Sequence, residues 1–66
     1  MKYLIIVAET NQEDYPNYWA GTEDDKEVAI KRAKQMLGKK LRGYDHCDGE
    51  IPTRIIVAEK IEEIRQ

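Results

Sequence analysis

The chain has no phenylalanine, one cysteine, one histidine, one tryptophan and two prolines. A single cysteine, Cys47, excludes a disulfide within the chain. One histidine and one cysteine are too few for the paired ligands of a structural zinc site. The four glycines are scattered and build no phosphate-cradling loop. No cofactor and no metal are therefore expected. The longest apolar run, Tyr3–Ala8, falls far short of the ~20 residues that span a membrane, and it is too short and wrongly flanked for a secretory signal. A lone thiol without such a signal points to the cytoplasm.

What is present is charge, unevenly placed. Residues 9–27 hold Glu9, Glu13, Asp14, Glu23, Asp24, Asp25 and Glu27 against Lys26, whereas residues 31–42 hold Lys31, Arg32, Lys34, Lys39, Lys40 and Arg42 with no acid. The net charge is −2. With 66 residues the chain makes one small domain, 1–66. A domain of this size buries only about 60 % of its unfolded surface, so association with another subunit is the expected reinforcement once disulfides and metals are set aside.

The pentapeptide IIVAE occurs twice, at Ile5–Glu9 and Ile55–Glu59. Each copy lies in a β-branched run of strand length. In the first run both faces, Tyr3/Ile5/Val7 and Leu4/Ile6/Ala8, are apolar, which predicts cover on both sides. Thr10–Asp14 reads as a turn and Tyr15–Ala20 as a hairpin strand. Pro16 confines that strand to an edge or a late start, and Gly21 is expected to end it.

A helix is predicted from about Asp25 to Leu41. Asp24 with Glu27 has capping-box spacing, and Thr22 and Asp25 are alternative caps. Ile30, Ala33, Leu37 and Leu41, widened by Ala29 and Met36, form its apolar stripe. Gly38 marks either a close approach or an early helix end. A loop, RGYDHCDGEIP, leads to the second IIVAE strand, and IEEIRQ continues as strand or a short helix.

The expected fold is thus α+β: a three- or four-stranded sheet with one helix on one face, in the order β-β-(β)-α-β. The two IIVAE copies are expected as interior strands over the Ile30/Ala33/Leu37 stripe. A parallel pairing is open to them, because the helix supplies a crossover. The sheet face away from the helix then keeps an apolar set that a partner should cover. Internal duplication is the rival account of the repeat; a hairpin after one copy and a loop before the other argue against it.

No motif carries catalysis. His46 and Cys47 are adjacent, so in extended backbone they point apart, whereas a nucleophile and its base must meet. A calcium loop with Gly49 as its sixth residue would need oxygen ligands at Tyr44, His46 and Asp48, which fails. Asp48-Gly49 reads as a turn. The candidate partner-binding residues are Tyr15, Tyr18 and Trp19, with Trp19 as the anchor, and the acids Glu23 and Asp24. Lys31, Lys34, Lys39 and Arg42 are the alternative, a nucleic-acid-binding face, weighed against an overall balance that is not basic.

The order MKYLIIVAE, an aromatic hairpin strand, DKEVAIKRAKQML and then GEIP resembles the HicB-type antitoxin domain over residues 1–53. Asp25, Glu27 and Ala29 match that family's helix opening, and Glu50-Ile51-Pro52 matches its later I-P segment. The family's D-L-P-G-C signature is replaced here by NYWAGTEDD. The resemblance implies a β-β-β-α-β domain that dimerises and blocks a small ribonuclease toxin, with no catalytic residues. The expectation is a non-enzymatic, protein-binding regulator acting as a homodimer, antitoxin-like or a phage-type inhibitor. Binding to nucleic acid is the alternative, and no membrane partner is expected.

Overall fold

The computed structural model describes residues 2–44, 47–62 and 64. Its elements run β1 (Lys2–Thr10), β2 (Asp14–Glu23), α1 (Lys26–Met36) and β3 (Pro52–Lys60). They form one three-stranded sheet in the order β2-β1-β3. Both pairings are antiparallel. The fold is the expected α+β one with three strands. No separate strand stands before the helix among the described residues, because β2 runs unbroken to Glu23.

The two IIVAE copies pair with each other. Ile5 faces Val57, Ile6 faces Ile56, and Val7 faces Ile55. The second residue of each copy meets its own equivalent, so the pentapeptide is its own antiparallel complement. The parallel option is overturned, and only the first copy is interior. β3 lies at an edge of the sheet, with no strand on its other side among the described residues. β2 takes the other edge, as Pro16 requires.

Alternation sends Tyr3, Ile5 and Val7 toward the helix. Ile5 is fully buried with Ala29 and Ala33, and Tyr3, Ala20, Met36, Ile55 and Val57 pack around them. The small alanines let α1 approach the centre of the sheet. The expected stripe rotates accordingly: Ala29 and Ala33 are the buried residues of α1, while Leu37 is 47 % exposed. Leu41 is buried, but from a loop.

Asp25 is the N-cap: its Oδ1 accepts from the Glu27 N–H at 2.8 Å and the Val28 N–H at 3.4 Å. The helix stops a turn earlier than the apolar spacing predicts. The Gly38 N–H donates to the Pro52 carbonyl of β3 at 2.9 Å, and Gly38 takes φ +78°. A left-handed glycine just past the last turn is a common terminator.

β2 continues through Gly21 against expectation. The Arg32 guanidinium lies over that glycine, where a Cβ would stand 2.8 Å from Nη2, and it reaches Glu23 at 2.9 Å. The glycine admits the close approach of a side chain from α1, one of the uses of glycine in a strand.

The second half of the core lies beyond the helix. Val7 is buried with Leu41 and Cys47, and Tyr18, Ala20, Met36 and Tyr44 pack against them. The loop that supplies Leu41 and Cys47 is tied down by backbone bonds, Leu41 N–H to Glu50 O at 2.8 Å and Gly49 N–H to Leu41 O at 2.7 Å. The β1–β2 turn grips the same loop. The Thr10 hydroxyl donates to Glu50 Oε1 and accepts from the Gln12 and Glu13 N–H groups. Asn11 donates its N–H to Ile51 O and accepts the Ile51 N–H on its own Oδ1. Ile61, Glu62 and Ile64 carry no regular structure, so the expected strand or helix does not form at those residues; Glu63, Arg65 and Gln66 lie outside the described residues.

Thr10 and Glu50 are both buried, and each depends on the other. Replacing Thr10 by Val is expected to cost about 1–3 kcal/mol, because a buried carboxylate loses its partner. Thr53→Val, which removes an exposed bond to Glu9, is expected to cost less than ~1 kcal/mol. Urea midpoints at constant m-value measure the difference.

Candidate protein-binding surface

The side of the sheet away from α1 carries an apolar row that crosses all three strands. Ile6 of β1 lies between Trp19 of β2 and Ile56 of β3. Leu4 follows on the same face, between Thr22 and Ala58. Trp19 is 68 % exposed and Ile56 41 % exposed, while Leu4 and Ile6 are half-buried. Ala8, expected beside them, is instead fully buried at a register shift of β1.

Trp19 is held against its own strand. Its indole N–H donates to the Gly21 carbonyl at 3.0 Å and the Thr22 hydroxyl at 3.2 Å. With that polar handle occupied, the ring offers a flat apolar surface. A shallow depression follows, lined by Leu4, Ile6, Trp19 and Thr22 and bordered by Lys2 and Lys60. Toward the other end of the face, the Arg54 guanidinium stands 5.9 Å from the centroid of the Tyr15 ring. Tyr15 is 73 % exposed. Its backbone and that of Asn17 are left-handed, at φ 62° and 52°. Asparagine tolerates that region; a bulky tyrosine is an outlier there.

The proposed partner-binding residues do not converge. Tyr15 and Trp19 are exposed, but Tyr18 packs on the helix side against Val7 and its neighbours. Glu23 is engaged by Arg32, and Asp24 is an exposed residue beside the capping Asp25. Of the basic set, Lys31, Lys34 and Lys39 line one shallow depression with Glu27, Ile30 and Gln35. Arg42 is exposed on the loop beyond the helix. Ile56 was not singled out from the sequence as a contact residue; alternation through the second IIVAE copy was the signal that could have marked it.

Cys47 is buried, and desolvation pushes its thiol up from the ordinary value, with Glu50 and Asp48 adding to the shift. A thiol held protonated is a poor nucleophile. His46 lies outside the described residues. The Asp48-Gly49 turn forms as predicted: Asp48 accepts the Gly43 N–H at 2.7 Å, and Gly49 has φ +85°. Among the described residues no three metal-binding side chains cluster, and no helix is long and apolar enough to cross a membrane.

Tyr18 donates its hydroxyl to Glu13 Oε2 at 2.8 Å. That bond, with partial burial and the Glu13 charge behind it, pushes the phenol up from 10.0 to about 12. The raised value means that the folded state holds the proton more tightly. The contribution is complete below the unfolded pKa of about 10 and is lost as pH rises toward 12. In an alkaline absorbance titration, Glu13→Gln is expected to bring one tyrosine ionisation down toward 10; an unchanged titration curve would contradict the assignment.

Comparison with protein-family models, curated proteins and solved structures finds no match to this chain.

Proposed function

We propose that this chain is a small non-enzymatic regulator that binds another protein and works as a homodimer, of the antitoxin or inhibitor type. The observation that carries the reading is the Trp19–Ile6–Ile56 row, left open on the sheet face away from α1. Contiguous apolar surface of this kind, rimmed by polar residues, marks interaction sites. Trp19 is the natural anchor, since buried tryptophans dominate interface energetics. Lys2 and Arg54 on the border favour a partner that offers apolar side chains ringed by acids.

Capture from native lysate with two baits tests the partner. Wild type is compared with a Trp19→Ala/Ile56→Thr variant, both substitutions falling at exposed positions. At least one protein is expected to be retained at least about tenfold less by the variant, the loss that follows from removing an anchor. Equal retention by both baits would refute the surface. Light scattering at micromolar concentration tests the dimer, with twice the chain mass expected.

A second reading has one observation of its own. Lys31, Lys34 and Lys39 share one depression on the outer side of α1. Fluorescence titration with DNA and RNA at two salt concentrations decides it: binding through these lysines would weaken steeply with salt, and no binding at low salt ends the reading.

A further inference from the structure

We infer that the homodimer forms by antiparallel pairing of β3 with β3 of a second copy, with Ile56 on the twofold axis. This rests on the homodimer proposed above and names its surface. The result is a continuous six-stranded sheet, with both helices on one side and both Trp19–Ile6–Ile56 rows on the other.

The first argument is complementarity already realised within the fold. β3 pairs through Ile55–Glu59 with an identical pentapeptide in β1, equivalent residues Ile6 and Ile56 facing each other. Among the described residues no strand pairs with the other side of β3. A second β3 offers that edge the sequence it already accepts from β1. In the same register Ile55 faces Val57 of the second copy, Arg54 faces Ala58, and Thr53 faces Glu59. No like charges stand opposite. A slip of two residues toward the strand's C-terminal end would set Arg54 against Lys60 and Ile55 against Glu59. In an antiparallel ladder, successive residues alternate in pointing their N–H and C=O groups to one neighbour or the other. Bonded and non-bonded pairs therefore exchange places between the two edges of β3, while the side-chain register stays the same.

The second argument comes from α1. Ile30 and Leu37 belong to the stripe the sequence made apolar, yet neither is buried. Ile30 lines a hollow with Val57 and Glu59, and Leu37 lines another with Thr53, Arg54 and Ile55. Both residues therefore stand beside β3 with part of their surface open. A second copy paired there brings its own Ile30 and Leu37 alongside, so the misfit of the stripe within one chain is resolved between two.

The third argument is the contrast between edges. β2 carries Pro16, left-handed Tyr15 and Asn17, and register shifts at two places. Those are the devices that blunt an edge against pairing. β3 has its proline at its first residue and no left-handed residue; its register against β1 also shifts at two places, but both lie at its Pro52–Ile55 end, and from Ile55 to Lys60 it is unbroken.

Single-cysteine cross-linking tests the register. Cys47 is buried and serves as the unreactive background in the wild-type control. Directly opposed strand residues have Cα atoms roughly 4.5–5.5 Å apart, within the range a disulfide spans. Under mild oxidation Ile56→Cys is expected to run as a covalent dimer. Thr53→Cys and Glu59→Cys are each expected to cross-link only when mixed. Ile6→Cys is expected to stay monomeric, since three strand spacings put the two copies roughly 14 Å apart. Circular dichroism matching wild type confirms that each variant is folded. A wild-type dimer by light scattering whose Ile56→Cys and mixed variants do not cross-link would overturn the β3 pairing and leave the homodimer standing. A dimer cross-linked by Ile6→Cys would place the contact on the sheet face instead. A wild-type monomer with no cross-link would remove both.

Discussion

The central strand sets the terms for the whole molecule. β1 is apolar on both faces, and among the described residues one helix, of eleven residues, is there to cover it. α1 reaches only the Ile5 end. The Val7 end is closed by a loop carrying Leu41 and Cys47. An irregular segment does half the work of a second helix because its backbone is anchored at three points, to Met36, to Pro52 and to the β1–β2 turn. The buried Thr10–Glu50 pair sits at the junction of turn and loop, where a polar link can fix their relative position in a way that apolar contacts, being non-directional, cannot.

Solving one side of β1 in this way leaves the other side open. Leu4, Ile6 and Ile56 face outward because strand alternation gives them no choice once Ile5, Val7, Ile55 and Val57 are committed to the helix side. The open row and the core are thus two consequences of one pattern. Trp19 shares the open side because β2 inserts an extra residue between its partners for Ile5 and Ile6, which keeps Ala20 and Gly21 together on the helix side.

Much of this was legible in the residues. The β-branched runs located β1 and β3, Pro16 placed β2 at an edge, and the two apolar faces of β1 foretold an uncovered side. What the sequence could not reveal was long-range. The end of α1 depends on a carbonyl of β3 that lies far along the chain, and Gly38 alone was ambiguous. Gly21 looked like a breaker because the Arg32 guanidinium above it is a tertiary contact. The stripe of α1 was assigned by spacing, but the alanines won the centre because only small side chains fit between the helix axis and Ile5. The antiparallel sense of the repeat follows from loop length and packing, which composition does not encode. The candidate contact residues were scattered for the same reason: Tyr18 and Trp19 are adjacent in sequence and opposite in space.

The twin pentapeptides have a further consequence, in the life of the chain before it is folded. During synthesis β1 leaves the ribosome long before the segment destined to lie beside it. Until that segment arrives, β1 of a neighbouring nascent chain offers the same residues in the same antiparallel order. Within the pentapeptide, closure inside one chain and capture by a neighbour offer the same pairs; the flanking residues of β3, from Pro52 to Lys60, and proximity favour closure.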